Sequence, residues 1–146
     1  MLTRSSQVGG GYFERACADL GLTVRQYDVL FVLHCQGRCD QDRLARILGL
    51  DKSNAGLVVG NLERKKLIRR IVKSEDRRKR TLSITDAGEA LFSAALPHAE
   101  EAQQRLLAPL SPAESQQLLK LLTKIVVASA AAERAPLELV GSTAAE

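Results

Sequence analysis

The sequence predicts a mainly α-helical fold of six helices carrying one small β-hairpin. Three observations lead there. Ala and Leu are abundant while aromatic residues make up 3% of the 146 residues and Trp is absent, a composition that favours helix over sheet. Apolar residues recur at three- and four-residue spacing along most of the chain, in segments of helical length separated by glycines. Only at Ile71-Val72 and in "RTLSIT" does the pattern become strand-like.

Residues 12–20 suggest the first helix, with Tyr12, Phe13, Ala16, Cys17 and Leu20 at helical spacing. The run Gly9-Gly10-Gly11 just before it would cost about 3 kcal/mol against alanine inside a helix. Either the helix starts after these glycines or the backbone there meets another segment closely. Gly21 ends this helix. The next lies in "LTVRQYDVLFVLHCQG", where Thr23 and Gln26 have capping-box spacing and Gly37 stops the helix. Asp40 is the N-cap of a short third helix, Gly49 turns the chain, and Asp51 caps a fourth helix, "KSNAGLVVGNLERK".

The third and fourth helices form a helix-turn-helix. Ala45 sits where two helices touch closely, Gly49 follows at the turn, and Ala55 and Val58 then face back. The fourth helix has two unlike faces. Ala55, Val58, Val59 and Leu62 recur at i, i+3, i+4 and i+7 and make the buried stripe. The opposite face carries Ser53, Leu57, Gly60 and Arg64, flanked by Asn54 and Asn61. Those are side chains that suit base edges and phosphates: Asn hydrogen-bonds bases, Arg reaches guanine or phosphate, and Leu57 suits a thymine methyl. An ordinary solvent face would carry Glu and Lys instead.

Charge concentrates just beyond. Residues 64–80 hold ten Lys or Arg and two acidic residues, a net of +8, whereas the remainder holds eleven basic and fifteen acidic residues, a net of −4. A patch placed this way attracts a polyanion. A plain solvated charge run is the bland alternative, but Leu67, Ile68, Ile71 and Val72 interrupt it, so the segment folds. Two short strands around "KSEDRRKR" make a hairpin with a basic tip, a wing beside the fourth helix. The winged face is therefore expected to grip double-stranded DNA through Lys52, Ser53, Asn54, Leu57, Asn61 and Arg64 on the helix and Arg77, Arg78 and Lys79 on the hairpin.

Thr85 caps a long fifth helix, in which Pro97 predicts a kink. Ser111, Pro112 and Glu114 start the sixth with a capping box. Its apolar arc, Leu118, Leu119, Leu122, Ile125 and Val126, is broad enough to call for a partner chain. Residues 134–146 read as a loosely held tail.

These residues carry a resemblance to the MarR family of transcriptional regulators. "GLTVRQYDVL", "LARILGLDKSNAGLVVGNLERKKLIRR", "SEDRRKRTLSITDAG" and "LSPAE" match its pattern in order and spacing, over residues 2–132. The most specific element is Asp76-x-Arg78 in the wing followed by Thr85-x-x-Gly88. The resemblance implies a two-fold winged-helix homodimer, with residues 1–22 and 86–133 as dimerisation helices and 23–85 as the DNA-binding lobe. It implies that two recognition helices read a pseudo-palindrome, that Arg78 enters the minor groove, and that Asp76 holds it. It also implies release of DNA, in a regulator expected to repress, when a small aromatic or phenolic acid or its CoA thioester binds. Ser6, Tyr12, Arg15, Tyr27, Phe31 and His34 are the lining residues it suggests. Arg15 would pair with a carboxylate, although Asp19 at i+4 is a simpler partner. Tyr12 and Phe31 suit a core better than a ligand contact. One departure stands out: Lys66 occupies a place where the family usually has Gly, so it must take positive φ or alter the turn.

Cys17, Cys35 and Cys39 suggest an alternative, a cysteine-based redox or metal sensor. The spacing Cys35-x-x-x-Cys39 beside His34 is not a strong zinc pattern. No catalytic motif stands out, so neither enzyme activity, cofactor nor metal is expected. An adaptor using a winged helix without DNA would gain little from a +8 surface. No apolar run reaches a membrane span and the first residues lack a signal-peptide core, which makes the cytoplasm the expected location.

Overall fold

The computed structural model describes the backbone of residues 1–73 and 76–132, and their side chains except at 72–80 and 129–132. It contains six α-helices and a three-stranded antiparallel sheet. In order these are α1 (Leu2–Ala16), α2 (Val24–Gln36), β1 (Arg38–Asp40), α3 (Gln41–Leu48), α4 (Lys52–Arg64), β2 (Ile68–Lys73), β3 (Asp76–Ile84), α5 (Asp86–Leu107) and α6 (Pro112–Ala132). The expected fold class, helices with a wing, is what the chain adopts. The tail at 134–146 lies outside the described residues.

Two elements differ from the sequence reading. The first helix runs from Leu2 straight through the three glycines to Ala16, and a single 3-10 turn, Ala18–Leu20, follows. A β-carbon on Gly9 would lie 3.0 Å from Leu106 Cδ2, so α1 and the Leu106 side chain of α5 approach closely there. The second difference is β1, a third strand. Its three residues pair with β3 as Arg38 with Ser83, Cys39 with Leu82 and Asp40 with Thr81. Three residues are too few to show an alternating pattern, and only Cys39 points inward. The sheet order is β1-β3-β2.

The described residues divide into two compact units, residues 1–24 with 95–132, and residues 25–94. The core of the second unit is mainly aliphatic. Val29, Leu30, Val32 and Leu33 of α2, Leu44 of α3, Val59 and Leu62 of α4, and Leu82 of β3 are all at most 1% exposed. The predicted stripe of α4 is buried at Ala55, Val59 and Leu62 and half-buried at Val58. In the first unit, Phe13, Cys17, Leu22, Ala95 and Ala102 are buried, and α5 continues unbroken past Pro97.

Candidate nucleic-acid interface

The helix-turn-helix is built by three local devices. Asp40 caps α3 by accepting from the Arg43 N–H at 2.8 Å. At its far end the Leu50 N–H reaches the Ala45 carbonyl (2.9 Å) and the Gly49 N–H reaches that of Arg46 (3.2 Å), with Gly49 at φ 60. This left-handed closure satisfies the last carbonyls of α3 and swings the chain into α4. Asp51 then caps α4, accepting from the Asn54 N–H at 2.8 Å and from the Asn54 side-chain amide. These bonds hold the Asp51 carboxyl below the usual aspartate range, the Asn54 N–H contributing most.

The cap fixes how α4 presents its outward face. Lys52, Ser53, Asn54 and Arg64 are exposed, and Leu57 stands 70% exposed between them. Gly56 and Gly60 lie beside them without a side chain to raise the surface. Lys52 Nζ reaches Asp42 Oδ1 of α3 at 3.4 Å, Asn54 is shared with the cap, and Arg64 Nε lies 3.4 Å from the Gly60 carbonyl. Asn61 differs from its neighbours. It is only partly exposed, and its Oδ1 accepts from Gln26 Nε2 of α2 at 2.8 Å.

The junction of α4 with the wing explains the departure at Lys66. Lys66 takes φ 59, the one non-glycine at positive φ among the described residues. Its N–H bonds the Glu63 carbonyl (2.9 Å) and the Leu67 N–H bonds that of Leu62 (3.0 Å), the same left-handed closure as at Gly49. So the turn is kept and lysine bears the strain. Thr85 locks the other side. Its hydroxyl lies within hydrogen-bonding distance of the carbonyls of Lys66 (2.8 Å) and Leu67 (3.0 Å), and accepts from the Gly88 N–H (3.1 Å). A β-carbon on Gly88 would collide with the Leu67 carbonyl oxygen and lie 2.7 Å from Ile84 Cγ1. The spacing Thr85-x-x-Gly88 is thus the joint between the base of the wing and α5. Arg70 of β2 adds a link to Glu63 of α4 at 3.0 Å. The backbone of β3 includes Asp76, Arg77, Arg78 and Lys79, but their side chains, and residues 74–75, lie outside the described residues.

The suggested ligand-lining residues fall in three places. Tyr27, Phe31 and His34 come together around Phe92 of α5, which the sequence reading missed. Ring centroids are 5.5 Å apart for Tyr27 and Phe92, 6.1 Å for Phe31 and Phe92, and 4.6 Å for His34 and Phe92. His34 Nδ1 also lies 2.7 Å from Glu89 Oε2. Phe92 and Glu89 stand three apart on α5, a spacing that in retrospect carries this signal. Tyr12 and Arg15 meet each other, the guanidinium 5.2 Å from the ring centre, beside a cavity of about 230 Å³ that Arg4 and Gln7 also line. Ser6 lies elsewhere, on an apolar cavity of about 600 Å³ in the first unit. All five residues assigned to dimerisation, Leu118, Leu119, Leu122, Ile125 and Val126, line that same cavity.

The cysteines are a poor fit for sensing. Cys17 is fully buried and its burial pushes the thiol pKa up, away from the reactive thiolate. Cys39 is a buried strand residue and Cys35 is exposed. Among the described residues no group of three His, Cys, Asp or Glu is placed to hold a metal ion, and no helix is long and apolar enough to cross a membrane.

Comparison with known proteins agrees with this architecture. Residues 22–79 match the sequence profile of the MarR family. A probable transcriptional regulator from Pseudomonas aeruginosa is 32% identical, with 85% of this chain and 92% of that chain covered and a TM-score of 0.79. The chain belongs to the MarR family. A second solved structure is that of BpsR from Bordetella bronchiseptica, whose DNA binding is regulated by 6-hydroxynicotinic acid. It is 30% identical over 86% of this chain and 95% of that one, with a TM-score of 0.80. The homoprotocatechuate degradative operon repressor of Escherichia coli is 29% identical over 126 residues, 86% of this chain and 84% of that protein. As a MarR-family transcriptional regulator the chain has its helix-turn-helix in α3 and α4 and its wing in β2 and β3.

Proposed function

We propose that this regulator is a homodimeric repressor that binds a pseudo-palindromic operator and releases it on binding a small aromatic acid or its CoA thioester. The observation that carries DNA reading is the outward face of α4: short polar groups, one exposed leucine and Arg64, anchored at one end by Asp51 and at the other by the wing. Major-groove readout needs such a face. Arg77, Arg78 and Lys79 of the wing supply phosphate and minor-groove contacts in this reading, with Asp76 holding Arg78, and residues 23–85 form the DNA-binding lobe.

Dimerisation through the terminal helices, 1–22 and 86–133, is supported by α6. Leu119 is 47% and Ile125 53% exposed, a surface that a second copy would remove from water. The ligand class is supported by BpsR, which responds to a hydroxylated aromatic acid. Two separate groups are candidates in this reading: Arg15 beside Tyr12, a guanidinium for a carboxylate, and the cluster of Tyr27, Phe31 and His34 around Phe92, which offers ring surfaces. For DNA to be released, the ligand must bind better to a dimer whose recognition helices no longer match one turn of DNA, about 34 Å.

The test is release. The purified protein is bound to the intergenic duplex beside its own gene and titrated with 6-hydroxynicotinate, homoprotocatechuate and the substrates of neighbouring gene products. Release by an aromatic acid that is weakened in Arg15→Ala is expected. Release by peroxide alone, abolished in Cys35→Ser, would favour the cysteine-sensing alternative.

A further inference from the structure

Gln26 is the one polar residue in the buried core among the described residues, at 8% exposure. A carboxamide is costly to bury unless hydrogen-bonded. Its Nε2 donates to Asn61 Oδ1 at 2.8 Å, linking the first turn of α2 to the last third of α4. Asn61 stands at the border of α4's two faces: Leu62 beside it is fully buried, while Leu57 and Arg64 face outward.

The side-chain amide of Asn carries its acceptor oxygen and its NH2 group in one plane, on either side of the Cβ–Cγ bond about which that plane turns over easily. A free Asn can therefore offer a base either a donor or an acceptor. Holding Oδ1 against a buried amide removes that choice, and the Nδ2 hydrogens turn to the side away from Gln26. It also removes the rotamer freedom that DNA binding would otherwise have to quench.

Resting on the reading of α4 as the DNA-reading helix, we infer that Gln26 is a positioning residue for operator selection. It presents Asn61 to the major groove as a hydrogen-bond donor. Asn61 then selects a base with an acceptor edge, a purine N7, guanine O6 or thymine O4, and rejects cytosine, whose exocyclic amine is a donor. Gln26 touches no DNA in this account. It acts through Asn61 alone.

Selection from random-sequence duplexes, run in parallel with three proteins, tests this. Gln26→Met keeps length and apolar burial and removes the donor. Asn61→Asp keeps an oxygen for Gln26 and replaces Nδ2 by a second acceptor. The unsubstituted protein is expected to disfavour cytosine about tenfold at one base of each half-site. Gln26→Met should no longer discriminate there, with the rest of the motif and the affinity for an unrelated duplex retained. Asn61→Asp should reverse the preference and enrich cytosine. Thermal melts report folding, and should Gln26→Met not fold, Asn61→Asp at its partly exposed position decides. Gln26→Met selecting the original motif, or Asn61→Asp still disfavouring cytosine, would overturn the inference alone. An unsubstituted protein that selects no motif contradicts the assignment of α4 itself, and the inference falls with it.

Discussion

Lys66 holds a conformation that glycine adopts freely, and it does so to keep the closure that delivers the chain from α4 into the wing. Lysine there works against its own β-carbon. Lys66→Gly is therefore expected to raise stability by about 1 kcal/mol in urea unfolding, since the strain removed exceeds the flexibility added to the unfolded chain. Unchanged or lowered stability would mean that the lysine side chain makes a compensating contribution. Asp51 gives a pH-dependent expectation. Its carboxyl is held below the ordinary range by bonds that exist only in the folded state. The stabilisation is then present above the ordinary aspartate value of about 3.9 and is lost as pH falls through the lowered folded value. Amide exchange of Ser53 and Asn54 should accelerate, relative to the rest of α4, only in that acidic window, and Asp51→Asn should shift or remove the dependence.

At the scale of elements, α4 and the wing form one surface because Thr85, Gly88 and Lys66 tie their bases together. Arg64→Ala removes an outward group without touching the buried stripe, and should weaken operator binding by about 1–3 kcal/mol. A fluorescence-anisotropy titration with no change would remove Arg64 from the interface. Much of this surface was legible in the sequence. Asp40, Asp51, Gly49 and the i, i+3, i+4, i+7 stripe are local signals, and each of them sits where its chemistry requires. What was not legible depends on distant contacts. The three glycines left a later helix start and a close approach equally open, and only the helix from Leu2 and Leu106 against Gly9 favour the approach. A three-residue strand carries no period, so β1 is visible only through its partner β3. Phe92 belongs to a cluster whose other rings lie some sixty residues earlier, and Gln26 looked like part of a local cap although its amide reaches Asn61.

For the whole molecule, the proposed working unit is two copies presenting two basic wings to a duplex, a reading supported by the charge asymmetry and the exposed apolar residues of α6. Leu122 lines the apolar cavity with the other α6 residues assigned to dimerisation. A charge there would have to be desolvated at the interface, so Leu122→Glu should shift the protein to monomer at micromolar concentration in analytical ultracentrifugation. Operator affinity should fall with it, because each half-site then binds alone. An unsubstituted protein that is already a monomer would contradict the dimer.

The most direct test of the central claim is the salt dependence of binding to the duplex upstream of its own gene. Each phosphate neutralised contributes about −0.9 to the slope of log affinity against log salt, so two helices and two wings predict a slope steeper than about −4. Arg78→Ala should make that slope shallower by about two units, one wing arginine per copy. Absence of binding in low-salt buffer, or an affinity that ignores salt, would contradict the account.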